Sequence, residues 1–377
     1  MTGDQRPLRV LFAGGGTGGH IHPNLAILER LLALRPDTEA HFVLSNRPID
    51  ARVMESETVP WTASDAAPLS RRPRGVWRFI RAWGPSLRAA RRLIREFQPT
   101  VLVTTGGFVS APVARAARLE RVPVILIALD DPPGKASRLI ARHANRKFLA
   151  TFAATSPGWD AIPPIVRLRA IADDTPSHCR ERLGLDPNKP ILFITGGSQG
   201  ARSLNETLIH IAPQIAEIAP GWQIYHQCGT GDILERLEHA YTDALIPHKL
   251  VEYCIDMADA WGGADLAIAR AGAGTVAEVA RNAVPTIFLP YPYHADQHQK
   301  RNASPLVNAG GAIILDDTTR ADTNAPVLTR TIGELVADEP SRQKMKAALK
   351  NLASEDGAET VAKFVASLDS CRTESDL

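Results

Sequence analysis

A chain of 377 residues is too long for one typical core and points to two domains. Its 43 basic side chains nearly balance 41 acidic ones, and a formal net charge of +2 gives no global reason to bind nucleic acid. Four widely spread cysteines, Cys179, Cys228, Cys254 and Cys371, form no Cys-x-x-Cys pair, which argues against a zinc site or a disulfide framework and fits a reducing cytoplasm.

The N-terminus carries no positive-then-apolar signal, and no apolar run approaches the ~18 residues that cross a bilayer, so any membrane contact is expected to be peripheral. Leu8 to Ala13 reads as a strand, Gly14-Gly-Gly-Thr-Gly-Gly-His20 as a glycine loop, and Pro23 to Leu34 as a helix with Pro23 in its first turn. The spacing is not the dinucleotide fingerprint, and the second strand, His41 to Leu44, ends in Ser45-Asn46 rather than an acidic residue; a nicotinamide cofactor is not expected. His20 closes the loop, where a histidine facing a cleft suits a general base and one facing solvent is only a polar surface residue.

From Arg71 to Arg95 nine arginines accompany Val76, Trp77, Phe79, Ile80, Trp83, Leu87 and Ile94 without an acidic residue. Val76, Ile80, Trp83, Leu87, Ala90 and Ile94 follow the spacing of one helical face, which Gly84-Pro85 is expected to kink or divide. Either this is a packing helix with a solvated basic side, or it docks on anionic lipid. Strands follow at Thr100 to Thr105, before Gly106-Gly-Phe-Val-Ser-Ala-Pro112, at Val122 to Leu129, and at Lys147 to Phe152 beyond a helix from Lys135 to Arg142. The adjacent Asp130 and Asp131 at a strand end suit hydroxyl binding or capping of the next helix better than a metal.

Thr155 to Pro176, with four prolines, reads as a linker. Strands are expected at Ile191 to Thr195, Trp222 to Gln227, Lys249 to Tyr253, Leu266 to Ala269, Thr286 to Leu289 and Ala312 to Leu315, alternating with helices. The first is followed by Gly196-Gly-Ser-Gln-Gly-Ala-Arg202. Leu266 to Ala269 leads through Gly272 and Gly274, read as a tight turn, into a helix from Thr275 to Ala283. The N–H groups and positive dipole end of such a helix accept a diphosphate without a dedicated cation. Glu278, three residues after Thr275, fits a capping box or a carboxylate accepting from two ribose hydroxyls. Asp296, His298, Gln299 and Asn302 then crowd hydrogen-bonding groups at the start of another helix.

The fold class expected is α/β: two doubly wound parallel-sheet domains facing a cleft, residues 1–160 and 181–355, joined by a linker at 161–180, with a helix and tail at 356–377 packing back on the first domain. Five ordered motifs are identified on these elements: Gly15-Gly-Thr-Gly-Gly-His20-x-x-Pro23, Gly106 to Pro112, Gly196 to Ala201 with Asn205, Arg270 to Glu278, and Asp296-x-His-Gln-x-x-Asn-Ala303. Over nearly the whole length the chain resembles the MurG-type N-acetylglucosaminyltransferases of peptidoglycan synthesis, which have the GT-B fold.

That resemblance implies an inverting, metal-independent, cofactor-free transfer of N-acetylglucosamine from UDP to the C4 hydroxyl of a muramyl-peptide on undecaprenyl diphosphate, at the cytoplasmic face of the bacterial inner membrane. It implies His20 as the base, with Thr17, Gly18, Gly19 and Asp130 toward sugar and acceptor diphosphate. Ser198, Cys254, Ala273, Gly274, Thr275, Val276, Ala277, Glu278, His298 and Gln299 are implied for the donor, with Glu278 on the ribose, and the Arg71 to Arg95 region for the membrane. The chain departs from the family at Ile127-Ala128-Leu129, where the usual polar groups are replaced and only Asp130 remains polar, and it has no clean match to the Gly-Asn-Pro-Val-Arg segment near Arg167 and Arg169. A transferase with another lipid or hydroxyl acceptor, and a non-catalytic nucleotide-sugar-binding scaffold, are the competing expectations.

Overall fold

The computed structural model describes residues 7–16, 18–68, 72–197, 200–293, 297–352 and 355–368. The chain divides into two compact units, Met1–Arg167 with Asp356–Leu377, and Leu168–Glu355. The first unit runs β1 (Arg9–Ala13), α1 (Gly18–Leu34), β2 (Glu39–Ser45), α2 (Pro48–Met54), β3 (Trp61–Ser64), α3 (Pro73–Phe97), β4 (Val101–Thr104), α4 (Ser110–Leu119), β5 (Val124–Ala128), α5 (Lys135–Ala141), β6 (Arg146–Ala150) and β7 (Asp160–Ile162). Its parallel sheet has the order β3-β2-β1-β4-β5-β6-β7. The order reverses between β1 and β4, paired from Val10↔Val101 to Ala13↔Thr104, so the loops after these two strands leave side by side at the carboxyl edge.

β4 and β5 are buried throughout, and β1 is buried from Val10 on, because helices cover both faces of a parallel sheet. Such apolar runs are legible in sequence. The edge strands β3 and β7 are not: Trp61, Thr62 and Ala63 are exposed, and β7 is three residues inside the proline-bearing stretch. α1 begins five residues before the expected start, so Pro23 lies inside it and His20 in its first turn. The carbonyl that Pro23 cannot bond is that of Gly19, which is exposed and open to other donors.

α3 is one continuous helix through Gly84-Pro85 rather than two. Only its C-terminal half has the expected packed face: Ala90 and Ile94 are buried in the core, with Trp83, Leu87, Leu93 and Phe97 packed against it. Ile80, assigned to that face by spacing, is 66% exposed, and Trp77 is 59% exposed.

The second unit runs from a short 3-10 turn (Leu168–Ala170) through α6 (Pro176–Arg182), β8 (Ile191–Thr195), α7 (Arg202–Ile218), β9 (Gln223–Gln227), α8 (Ile233–Asp243), β10 (His248–Val251), α9 (Met257–Gly263), β11 (Ala264–Ala269), α10 (Ala273–Asn282), β12 (Thr286–Phe288), α11 (His298–Asn308), β13 (Ala312–Ile314), α12 (Ala321–Ala337) and α13 (Glu339–Leu352). Its parallel sheet, β10-β9-β8-β11-β12-β13, again reverses beside its first strand, between β8 and β11. Leu192, Ile194, Leu204, Leu208, Ile211, Leu266, Ile268 and Ile287 form its core.

The last helix, α14 (Gly357–Ser367), belongs to the first unit. Asp356 caps it, accepting from Ala358 N at 2.9 Å, and also accepts from Arg30 Nε of α1 at 2.9 Å. Arg30 Nη2 donates to Val166 O at 3.0 Å, while Arg167 pairs with Glu29 at 2.7 Å and Glu57 at 2.9 Å. The Phe364 ring meets Phe148 edge-on at 5.5 Å. A Cβ on Gly357 would lie 1.9 Å from Pro163 O, so only glycine fits there. Among the described residues no helix is long and apolar enough to cross a membrane.

Candidate functional site

In the first unit the loop after β1 is shaped by groups distant in sequence. Gly16 N donates to both Asp50 oxygens, at 3.1 and 2.8 Å, and the same carboxylate accepts from Ser45 N at 2.9 Å and Ser45 Oγ at 2.6 Å. Asp50 is fully buried, so these donors replace its hydration. Arg47 Nη1 donates to Gly16 O at 2.7 Å. Gly16 has φ of 89°, and a Cβ there would lie 2.4 Å from the Phe108 ring; this glycine is fixed by both conformation and space.

His20 leaves this loop in the first turn of α1. Its Nδ1 lies 3.1 Å from Thr105 O, and Thr105 Oγ1 donates back to His20 O at 2.7 Å. A carbonyl oxygen only accepts, so Nδ1 carries the proton and Nε2 of the neutral ring keeps its lone pair. Nε2 has no hydrogen-bond partner among the described residues, and Gly107 passes beside it with no side chain. Burial pushes the His20 pKa below the ordinary histidine value, against the opposing pull of Asp130, the Thr105 carbonyl and Asp50. A neutral imidazole with one open nitrogen can take a proton near pH 7.

Gly18 is buried and Gly19 exposed at the start of α1, while Thr17 lies outside the described residues. Asp130 is half-buried after β5 and acts electrostatically on His20; Ile127 and Ala128 before it are buried in the sheet. Asp131 does not cap the next helix, whose cap position is Gly134. It accepts instead from Thr155 N at 2.5 Å, Thr155 Oγ1 at 2.7 Å and Ser156 Oγ. Burial opposes its charge, but these donors hold its pKa below the usual carboxylate value.

In the second unit the loop after β11 opens α10. The cap residue is Gly272, with φ of −66° and ψ of 149°, and no side chain caps the helix. A capping box from Thr275 is therefore excluded, because Thr275 already lies three residues inside the helix. Neither Gly272 nor Gly274 has positive φ: the first is the cap residue and the second lies in the first turn of the helix. A Cβ at either would meet nothing within 4 Å, so their surface is open. Helix geometry leaves the N–H groups of Ala273, Gly274 and Thr275 without helical partners. Val276 N donates to Gly272 O at 2.9 Å, and the Val276 and Ala277 side chains are buried.

Glu278 is half-buried in the second turn. Its Oε2 accepts from Trp261 Nε1 at 3.0 Å, whereas Oε1 has no hydrogen-bond partner among the described residues. Burial raises its pKa to about 7, with the indole N–H acting in the opposite direction. Cys254 is buried, 3.6 Å from Tyr225 OH; burial, Asp256 and Glu278 push its thiol up to about 12 against the Tyr225 hydrogen bond, so it presents a neutral wall. Trp261 stands edge-on against Phe193 of β8 at 4.7 Å.

The first turn of α11 reaches the same loop. Asn302 Nδ2 donates to Ala271 O at 3.5 Å, and Gln299 Oε1 accepts from Tyr291 N at 2.8 Å, which leaves the Gln299 amide hydrogens for a ligand. His298 is half-buried at the start of α11. Arg270, by contrast, is committed to the scaffold: it donates to Leu289 O at 2.6 Å and Ser203 Oγ at 2.6 Å and pairs with Asp317 at 2.7 Å. Asn205 donates to Cys228 O at 2.8 Å and meets His226, which burial pushes down to about 3 and so keeps neutral. Ser198, Gln199 and Asp296 lie outside the described residues.

Sequence reading missed Asp50, Thr105 and Trp261. Asp50 and Thr105 act across 34 and 85 residues, and Trp261 across 17, from a different helix; no local spacing carries such pairings.

Two family models match the chain: the glycosyltransferase family 28 N-terminal domain over residues 10–149 and the family's C-terminal domain over residues 191–361. The chain is 35% identical to the UDP-N-acetylglucosamine--N-acetylmuramyl-(pentapeptide) pyrophosphoryl-undecaprenol N-acetylglucosamine transferase of Nocardioides sp., covering 96% of this chain and 98% of that one. It is 30% identical to the Geobacter metallireducens protein of the same name, over 94% and 97%. Among solved structures it is similar to Acinetobacter baumannii MurG, with a TM-score of 0.68 at 24% identity over 96% of this chain and 99% of that one, and to the glycosyltransferase SnogD of Streptomyces nogalater, at 0.68 and 17% over 97% and 100%.

Proposed function

Because the chain belongs to the MurG-type N-acetylglucosaminyltransferases of glycosyltransferase family 28, we propose that it moves N-acetylglucosamine from UDP to the C4 hydroxyl of a muramyl-peptide on undecaprenyl diphosphate. The observation that carries the division of labour is His20, neutral, pinned through Nδ1 on Thr105 O, with Nε2 open beside Gly107. Nε2 takes the proton of the acceptor hydroxyl as its oxygen attacks the anomeric carbon from the face opposite UDP, which inverts that centre. The C–O bond to UDP breaks in the same displacement, and no covalent enzyme intermediate forms. The first unit then serves the acceptor and the second the donor.

The donor assignment follows the open groups of the second unit. The N–H groups of Ala273, Gly274 and Thr275 and the dipole of α10 receive the diphosphate and the charge that grows on it as UDP leaves. Glu278 accepts from the ribose hydroxyls through Oε1, Cys254 walls the nucleoside, and His298 and Gln299 face the sugar. Ser198 joins the diphosphate, and Thr17, Gly18, Gly19 and Asp130 take the acceptor side. The chemistry assigned to these groups uses no metal or cofactor.

The acceptor reaches the enzyme on a membrane, and α3 supplies the surface for peripheral docking at the cytoplasmic leaflet: exposed Trp77 and Ile80 flanked by exposed Arg74, Arg78 and Arg81. The test of the reaction is UDP release by the purified protein from UDP-N-acetylglucosamine, with a short-chain lipid-linked muramyl-pentapeptide, in chelator. Acceptor-dependent release is the expected result; donor binding without release would assign another acceptor or a binding-only role.

A further inference from the structure

The carboxylate of Glu278 has one oxygen committed and one open, and the commitment is to a side chain with no freedom to move. Trp261 on α9 is 1% exposed, and its ring stands edge-on against Phe193 of β8 at 4.7 Å. An indole N–H can only donate and sits in the ring plane, so packing that fixes the ring also fixes the donor. That donor meets Oε2 at 3.0 Å. The backbone beneath is tied separately: Asn282 Nδ2 donates to Glu278 O at 2.9 Å and to Ala170 O at 2.7 Å, and Asn282 Oδ1 accepts from Ala172 N at 2.8 Å. Side chain and helix are thus anchored on different elements of the same unit.

We infer that Trp261 is a positioning residue for nucleotide recognition: by occupying Oε2 it turns Oε1 of Glu278 toward the ribose and makes the second unit selective for a ribonucleoside over a deoxyribonucleoside diphosphate. This rests on the proposal that Glu278 receives the ribose. Without the indole donor, the carboxylate of a half-buried glutamate has neither a fixed plane nor a partner for its inner oxygen. It can then rotate or draw in water, and both outcomes weaken the bonds to the two hydroxyls. The indole touches no substrate in this scheme and acts only through Glu278.

The experiment compares binding of UDP and dUDP to the full-length protein by calorimetry, in the wild type, Trp261→Phe, Glu278→Gln and the double variant. Phenylalanine keeps an aromatic ring against Phe193 and removes only the donor and the second ring. The wild type is expected to prefer UDP by about tenfold, the worth of one hydrogen bond to a charged group. Trp261→Phe is expected to cut that preference at least threefold while dUDP affinity stays within about twofold, and to raise the KM for donor with little change in kcat. In the Glu278→Gln background the same change should have no further effect on the preference.

A purely structural role for Trp261 would weaken UDP and dUDP alike; an unchanged ratio in Trp261→Phe, with Glu278→Gln abolishing it, overturns the inference and leaves the ribose assignment standing. A wild type that does not distinguish UDP from dUDP removes the ribose assignment itself. If Trp261→Phe does not fold, site-specific replacement of Trp261 by benzothienylalanine, which keeps the bicyclic shape and lacks the N–H, gives the same readout.

Discussion

His20 and Glu278 are both titratable groups displaced toward neutrality by burial, in opposite senses, and their pH signatures should differ. The His20 pKa lies below the ordinary 6.5, so the proposed base is neutral at pH 7 and kcat should fall only as pH drops below that value. Asp130 pulls the same pKa upward, so Asp130→Asn should move the acid limb of the kcat profile to still lower pH; a limb that stays fixed or moves up would remove Asp130 from the surroundings of the base. His20→Ala should lower kcat by about 10²–10⁴-fold with donor affinity largely kept, as measured by UDP release and by nucleotide-sugar titration. In the proposed role Glu278, raised to about 7, accepts ribose hydroxyls more strongly when ionised, so donor affinity should climb as pH rises through 7 and level off above it. Glu278→Gln should bind more weakly and lose that step. The sequence named both residues from their places after glycine loops, but it left the capping box open for Glu278, and only the helix start at Ala273 closes it.

At the scale of the element, α3 divides its work along its length. Its C-terminal half packs Ala90 and Ile94 into the core, and Arg91 and Arg95 both pair with Glu120 at the end of α4, at 2.7 and 3.0 Å. The N-terminal half exposes Trp77 and Ile80, with the Arg81 guanidinium 5.0 Å over the Trp77 ring. A basic side chain near an anionic surface is worth about 1 kcal/mol, so removing Arg74, Arg78 and Arg81 together should weaken binding by about 10²-fold. In co-sedimentation with phosphatidylglycerol vesicles, Trp77→Ala/Ile80→Ala and the triple arginine variant should each lose binding, whereas Arg95→Ala should change little. Periodicity placed Ile80 with Ala90 and Ile94 because a 3.6-residue repeat carries no information on where along a helix the neighbouring sheet stops. The same limit hid β3 and β7: edge strands that are exposed or three residues long have no apolar run to betray them, while the central strands did.

At the scale of the whole chain, the two sheets share the order of six strands and one reversal point, the first adding β7 at its edge, and each reversal carries a glycine loop. That alternation was legible from strand spacing and connections alone, since parallel sheets bury nearly every side chain of their central strands. The return of α14 to the first unit rests on side chains far apart in sequence, Arg30 with Asp356 and Phe148 with Phe364. Deleting residues 356–377 removes the Asp356 partner of Arg30, which keeps Glu29 and Val166 O, and uncovers the face that received Val361 and Val365, each worth about 1.5–3 kcal/mol when buried, so the loss comes mainly from apolar surface. Calorimetry should show the first unit melting earlier while UDP still stabilises the second; equal destabilisation of both would mean that the helix supports more than its own unit.

Because the chain crosses from the first unit to the second at Arg167 and crosses back at Asp356, the second unit, proposed to bind the donor, is in topological terms an insert. Exchanging it between related transferases to change sugar preference therefore needs two joints, at 167/168 and at 355/356, made together. A chimera with one joint would carry a foreign last helix onto α1, where Arg30 expects the Asp356 carboxylate and Pro163 O leaves room only for glycine. The second unit is topologically a cassette, and the residues that decide whether a replacement seats properly, Arg30, Asp356 and Gly357, belong to the first.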